Sequence, residues 1–93
     1  MVTLPQLRAL LAVVDSDLSV SRAALALHTT QPAVSKLVRA LELEVGVEFF
    51  IRRGNRLVAL TEAGGEAISL ARQALNDVRA IAGYVAGADG QSY

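Results

Sequence analysis

A break in periodicity near the middle of the chain constrains the fold more than any other feature of the sequence. Before the break, apolar residues recur three and four positions apart, as on amphipathic helices, and after Thr61 this spacing returns. In between, residues 47–53 are rich in β-forming side chains, Gly54-Asn55 is a turn dipeptide, and residues 56–60 can return as a second strand. The sequence therefore predicts a mainly α chain that contains one β-hairpin.

Three segments before the hairpin carry helix start signals. Thr3 and Gln6 match a capping box, Ser19 precedes a second apolar stripe, and Thr30 stands just before Gln31 and Pro32. Proline suits the first turn of a helix because the N–H groups there are unpaired in any case. We expect a first helix that ends at residues 15–17, a second through about residue 27, and a third from Thr30 to near Gly46.

Composition excludes several classes of site. The chain has 93 residues, of which 53% are hydrophobic and 4% aromatic, so its core must be aliphatic. It has no cysteine, which excludes disulfides, thiolate metal sites and cysteine nucleophiles. No signal peptide or membrane span is evident, and we expect a cytoplasmic protein with no cofactor, metal or membrane partner.

The net charge is zero, but the charges are unevenly distributed. The segment from residue 49 to 60 contains Arg52, Arg53 and Arg56 and no acid, whereas acids predominate after Thr61. Three arginines so close together repel one another unless a polyanion or neighbouring acids neutralise them. The alternative is an ordinary solvated loop.

The third helix divides into an apolar and a polar face. One face is expected to pack on the first two helices and carries Val34, Leu37, Val38, Leu41 and Val45. The other presents side chains that can bond base edges or phosphates, namely Gln31, Pro32, Ser35, Lys36 and Arg39. A short helix, a tight turn and such a helix are typical of a helix-turn-helix, although any amphipathic helix has a polar face. The hairpin that follows resembles the wing of a winged helix-turn-helix, which we assign to residues 1–60.

The last helix is predicted over residues 61–87 and is followed by a frayed tail at 88–93. Its apolar residues form a heptad seam suited to pairing with a second copy: Ile68, Ala71, Leu75, Val78, Ala82 and Val85. A helix that folds back on its own domain is the alternative.

The stretch TTQPAVSKLVRALELEVGVEFFIRRGNRLVALTEAG is similar to the signature of LysR-type transcriptional regulators. The resemblance extends over residues 3–87, with departures at Thr30, Leu37 and Phe49. Lys36 and the wing sequence RGNRL are closest to the branch of the cysteine-regulon activator. The resemblance implies a DNA-binding winged helix followed by a linker helix that forms a homodimer, with a tetramer as an alternative for a full-length protein that also carries an effector-binding domain.

The resemblance also implies roles for individual residues in binding double-stranded DNA. The helix at 30–45 would lie in the major groove, and the wing at 52–56 on the backbone or in the minor groove. Base contacts would come from Gln31, Pro32, Ser35 and Lys36. Phosphate contacts would come from Thr30, Arg39, Arg53 and Arg56, and Arg52 would be either a DNA contact or a structural residue.

Two other classes of function remain to be weighed. Small helical chains rich in arginine include chorismate-mutase-like enzymes, but these need long uninterrupted helices where Gly54-Asn55 stands here. His28 lacks an acid and a nucleophile at helical spacing, so we expect a connector and no catalytic residue. A winged helix that binds only protein would show no salt-dependent DNA binding. The sequence leaves open which operator is bound, which effector is sensed and whether regulation is positive or negative.

Overall fold

The computed structural model describes the backbone of residues 1–91 and the side chains of residues 1–83. Its elements in chain order are α1 (Leu4–Asp15), α2 (Val20–Ala26), α3 (Gln31–Val45), β1 (Phe50–Arg53), β2 (Arg56–Leu60) and α4 (Glu62–Gln91). The predicted order of three helices, one hairpin and a long helix is confirmed. Within the part of the chain that can be described, no helix is long and apolar enough to cross a membrane.

The helix boundaries follow from the capping residues. Thr3 and Gln6 form the predicted capping box of α1, and the hydroxyls of Ser19 and Thr30 accept backbone N–H groups at the starts of α2 and α3. At the end of α3, Gly46 adopts the left-handed conformation (φ 85°) that glycine tolerates without a steric penalty.

The hairpin is antiparallel and contains one irregularity. Phe50 pairs with Leu60 and Ile51 with Ala59, but the next pair is Arg52 with Leu57, so the register shifts beside Val58. The first strand begins at Phe50, later than the start expected at residue 47. The preceding residues are held instead by bonds to other elements, because the Phe49 N–H donates to Glu42 and the Phe49 carbonyl accepts from Thr61.

The core joins all four helices to the base of the hairpin. Its largest fully buried side chains are Phe49, Phe50, Leu10, Val13 and Val34. The other residues of this core cluster are alanine, valine and leucine, so the two phenylalanines are its aromatic members. Burying two such rings is worth several kcal/mol, at about 1.5–3 kcal/mol each.

The first turn of α4 lies directly against the chain preceding β1. The Thr61 hydroxyl donates to the Glu48 carbonyl (2.7 Å) and accepts from the Gly64 N–H (3.0 Å). The approach is so close that a Cβ at Gly64 would lie 2.1 Å from the Phe49 carbonyl oxygen, whereas one at Gly65 would meet nothing within 4 Å. Glycine at position 64 is therefore required by packing.

The first half of α4 packs on the domain, and the rest extends beyond it. Ala71 and Leu75 are buried in the shared core, and Arg72 forms a two-bond ion pair with Asp15 of α1. The hydrogen bond from Arg72 holds the pKa of Asp15 below its ordinary value. Because α4 has 30 residues, it is roughly 45 Å long at 1.5 Å per residue and accounts for most of the 57 Å length of the molecule.

The end of α4 differs from the sequence-based expectation. Residues 88–91 belong to the helix and not to a tail, while residues 92 and 93 lie outside the described part of the chain. The glycines near this end disfavour a helix by only about 1 kcal/mol each, and no proline is present to interrupt it.

Candidate nucleic-acid interface

The turn between α2 and α3 brings these two helices together as a helix-turn-helix. Leu27 caps α2, and His28 adopts a left-handed conformation (φ 55°) that reverses the chain before Thr30. His28 is thus a connector, as expected. This tight turn leaves the first turn of α3 exposed to solvent.

The exposed start of α3 carries the predicted base-reading side chains. Gln31, Pro32, Ser35 and Lys36 are all exposed. The Gln31 amide nitrogen donates to the hydroxyl of Ser21 on α2, which orients the amide. An amide nitrogen carries two hydrogens, so the second one and the amide oxygen stay available for a base edge. Sequence reasoning did not assign Ser21 to the site, because the contact joins two helices across the turn.

The buried face of α3 differs from the prediction at one end. Val34, Val38 and Leu41 are buried as expected and Leu37 is half-buried, but Val45 is 51% exposed. Burial of Val45 was therefore a wrong prediction. Val45 is the last residue of α3, and the following Gly46 is its C-cap.

The charged residue Glu42 lies on this face and is buried, with only 3% of its surface exposed to solvent. Its carboxylate accepts the Phe49 N–H (2.7 Å) and two hydrogen bonds from the Arg52 guanidinium (2.7 and 3.3 Å). Burial raises the pKa of Glu42, but the bonds from Arg52 and Phe49 outweigh that effect and hold the pKa below its ordinary value. Glu42 therefore stays ionised and ties α3 to β1.

Arg39 and Arg52 share a second acid, Glu48. The Arg39 guanidinium lies 3.4 Å from the Glu48 carboxylate and 3.6 Å from that of Glu42. Arg52 lies 3.7 Å from Glu48 in addition to its bonds with Glu42. We call these four side chains the charge cluster. It contains two cations and two anions, so its formal charge is zero.

The remaining cations near α3 and the hairpin are unpaired. Within residues 1–83, Lys36, Arg53 and Arg56 are exposed and make no ion pair. A groove of about 780 Å³ runs between the start of α2, the exposed side of α3 and the hairpin. Its polar lining includes Ser19, Ser21, Gln31, Ser35, Arg39, Arg52, Asn55 and Arg56, together with the acid Asp17. This open polar groove carries three arginines against one acid, and of these arginines Arg56 makes no ion pair within residues 1–83, so the groove fits a polyanion.

The heptad seam predicted on α4 is divided by the fold. Ala71 and Leu75 are buried against the chain's own α1 side, and Ile68 packs against the same core. In contrast, Val78 is 37% exposed, and Ala82 is exposed as well. The side chain of Val85 lies outside the described range. The apolar residues left in solvent follow a neighbouring stripe formed by Leu70 (67% exposed), Val78 and Ile81 (65%).

Comparisons with known proteins agree with this geometry. Residues 4–65 match the family model described as bacterial regulatory helix-turn-helix protein, lysR family. The chain is 45% identical over 80 residues to the HTH-type transcriptional regulator CysB of Haemophilus influenzae, an alignment that covers 83% of this chain and 25% of the relative. The chain thus spans about a quarter of the length of that relative, and the resemblance to the cysteine-regulon branch is confirmed.

Two solved structures have the same architecture over nearly their whole length. The BenM DBD/catB site 1 DNA complex superposes with a TM-score of 0.87 at 28% identity, covering 98% of this chain and 96% of that one. The CbnR DBD–DNA complex superposes with a TM-score of 0.78 at 30% identity, covering 95% and 98%. The predicted winged helix-turn-helix with a long following helix is therefore confirmed, and the chain belongs to the lysR family of bacterial regulatory helix-turn-helix proteins.

Proposed function

We propose that this chain binds double-stranded DNA in a sequence-specific manner, as the DNA-binding part of a bacterial transcriptional regulator. The observation that carries the proposal is the exposed, polar first turn of α3 beside a hairpin with two unpaired arginines. Membership of the lysR family and the likeness to two protein–DNA complexes support it. A regulator of this kind acts where the bacterial chromosome lies, so we also propose a cytoplasmic location.

In the proposed complex, α3 lies in the major groove and its first two turns face the base edges. Gln31 can bond adenine through both atoms of its amide, and Lys36 can bond guanine or a phosphate. Pro32 and Ser35 lie on the same side of the helix, where they can contact bases or sugars. These contacts supply specificity.

The phosphate contacts come from the edges of this surface. Arg53 and Arg56 at the tip of the hairpin are exposed and make no ion pair with the side chains of residues 1–83, so both can reach a phosphate or the minor groove. Thr30 caps α3 through its oxygen, which leaves the hydroxyl hydrogen free to donate. These contacts fix the orientation of the domain without reading sequence.

We propose that the chain acts as a homodimer through the stripe of Leu70, Val78 and Ile81 on α4. An exposed row of large apolar side chains on a helix that extends beyond its domain marks an interaction surface. Two-fold pairing would place two copies of α3 on one side of the DNA, so a palindromic site is expected. Higher assembly and the response to an effector would depend on parts of a longer protein.

The proposal is tested by the salt dependence of binding. If each protomer of a dimer uses Lys36, Arg53 and Arg56, about six phosphates are neutralised, and log affinity should fall with log salt at a slope of about −5. Fluorescence anisotropy with a labelled random duplex measures this slope. No binding at low salt, or a flat dependence, would contradict DNA binding and would favour a winged helix that binds only protein.

Sequence reading is tested separately by two matched variants. A preferred duplex is first selected from random DNA. Gln31→Ala should then weaken binding to that duplex by about 1–3 kcal/mol and change binding to random DNA little. Arg56→Ala should weaken binding to both duplexes. Equal losses for the two variants on both duplexes would show that the roles are misassigned.

A further inference from the structure

The charge cluster lies in the same groove as the proposed DNA contacts. Arg39 and Arg52 both line this groove, together with Ser35 and Arg56. By position alone, both arginines could therefore reach a phosphate. The family resemblance implied a phosphate contact for Arg39, and for Arg52 either a DNA contact or a structural role. Their ion pairs bear on both expectations.

We propose that Glu42 and Glu48 mask Arg39 and Arg52, so that these two arginines hold the wing in place and contribute little to DNA affinity. This inference rests on the proposed DNA binding and deepens it. It divides the arginines of this surface into two classes: a masked pair at the base of the hairpin and an exposed pair, Arg53 and Arg56, at its tip.

The geometry around Glu42 explains the positioning role. This carboxylate is almost fully buried, and it bonds both the Arg52 side chain and the Phe49 backbone. It therefore joins α3 to the hairpin at two points along the chain. Bidentate bonds between arginine and a carboxylate restrain orientation as well as distance. Glu42 is thus a positioning residue, since it acts on DNA only through the placement of the hairpin.

The geometry around Glu48 explains the mask. This side chain is 67% exposed, and its carboxylate lies within 4 Å of both guanidinium groups. A phosphate that approached Arg39 would also approach the Glu48 carboxylate, and the two negative charges would repel each other. The net charge of the cluster is zero, so counterions are not concentrated on it and are not released when DNA binds.

The mask is tested with Glu48→Gln, which removes the charge of an exposed residue and leaves its size unchanged. Each protomer then presents one more free cation, so the slope of log affinity against log salt should steepen by about 0.9 per protomer, from about −5 to about −7 in a dimer. Glu62→Gln is the control, since it removes the same charge from an exposed residue in the first turn of α4, outside the cluster. It should leave the slope unchanged.

A double variant links this effect to Arg39. In Glu48→Gln/Arg39→Gln the released cation is absent, so the slope should return to that of the wild-type chain. Arg39→Gln alone should make the slope less negative by a smaller amount than Arg56→Gln does, although both variants remove one arginine. Fluorescence anisotropy on random duplex DNA measures all these slopes, and circular dichroism checks that each variant is folded.

The outcomes separate this inference from the proposed function. If the wild-type chain shows no salt-dependent binding, the proposed function itself is wrong. If it binds, but Glu48→Gln keeps the wild-type slope, then Glu48 does not mask a cation and the inference is refuted. If Arg39→Gln makes the slope as much shallower as Arg56→Gln does, then Arg39 contacts phosphate and the inference is refuted as well. A steeper slope for the Glu62→Gln control would attribute the effect to overall charge and would also refute the mask.

Discussion

Replacing Gly64 with alanine should destabilise the fold strongly, while the same replacement at Gly65 should stabilise it. The two glycines are adjacent on the first turns of α4 and differ only in their surroundings. A Cβ at position 64 would lie 2.1 Å from the Phe49 carbonyl oxygen, and a Cβ at position 65 would lie in open space. Non-bonded carbon and oxygen atoms normally stay at least about 3.3 Å apart, so α4 would have to move by roughly 1 Å.

The magnitude follows from the bonds that this movement disturbs. The Thr61 N–H bond to Phe49 (3.0 Å) and the Thr61 hydroxyl bond to Glu48 (2.7 Å) each contribute about 0.5–1.5 kcal/mol. Shifting the packed Phe49 adds about 1–3 kcal/mol, and the better helix propensity of alanine offsets about 1 kcal/mol. We expect Gly64→Ala to lower the free energy of unfolding by about 1–5 kcal/mol and Gly65→Ala to raise it by about 0.5–1 kcal/mol.

Urea denaturation followed by circular dichroism at 222 nm measures both values. All samples need the same protein concentration, because any self-association makes apparent stability depend on it. A Gly64→Ala variant as stable as the wild-type chain would refute the close approach of α4 to Phe49. A loss at Gly65 equal to that at Gly64 would show that glycine serves the backbone conformation of this turn and not the packing.

Three further predictions follow from the side chains. Ile81→Glu places a charge in the exposed apolar stripe, so it should give a monomer in sedimentation at tens of micromolar. Ala80→Glu places the same charge about 100° away around α4 and should leave the dimer intact. A monomeric wild-type chain would contradict the proposed pairing. The pKa values of Glu42 and Asp15 are lowered in the folded chain, so both carboxylates stabilise the fold at pH values above their unfolded pKa values near 4. The free energy of unfolding should therefore fall as the pH drops below about 4, and it should fall less in Glu42→Gln. Urea denaturation at several pH values that showed equal acid sensitivity for the two chains would contradict the role of Glu42. Ser21→Ala removes the bond that orients the Gln31 amide, so it should weaken binding to the preferred duplex by about 0.5–1.5 kcal/mol and leave binding to random DNA unchanged. Equal losses on the two duplexes in anisotropy titrations would contradict the orienting role of Ser21.

Local signals in the sequence were sufficient to predict the helices and the hairpin. Capping residues act within one turn, so Thr3, Ser19 and Thr30 mark helix starts without any tertiary information. The turn at Gly54-Asn55 is equally local. The exposed side of α3 followed from helical periodicity alone.

Features that depend on contacts between distant elements could not be predicted in this way. Glu42 looks like one more charged residue on a helix, and its burial is favourable because the fold brings Arg52 of β1 and the Phe49 N–H to its carboxylate. For the same reason the resemblance implied a phosphate contact for Arg39 and left Arg52 as either a DNA contact or a structural residue, since the contacts of Arg39 with Glu48 and of Arg52 with Glu42 join different segments. One signal was available, because Glu42 falls on the apolar face beside Val38 and Leu41.

The partner of the heptad seam on α4 also could not be predicted from local sequence signals. A heptad pattern identifies an apolar face but does not say which neighbour covers it. Here Ala71 and Leu75 pack within the chain, so a charge placed at Leu75 would test folding and not pairing. Among the side chains of α4 that the structure describes, the large apolar ones left in solvent are Leu70, Val78 and Ile81.

Because α4 is anchored to the domain, its length sets where the outer half of the helix, and with it the proposed partner, lies relative to the domain. Its start is fixed to α1 by Leu75 and by the Arg72–Asp15 pair, so every residue beyond that point sets both a distance and a rotational phase. One inserted residue would turn the outer half by about 100° and advance it by about 1.5 Å, whereas seven would restore the phase to within about 20° and lengthen the arm by about 10 Å. In a two-fold pair, the length of α4 would therefore determine the separation of the DNA half-sites, and the residues that contact bases would not.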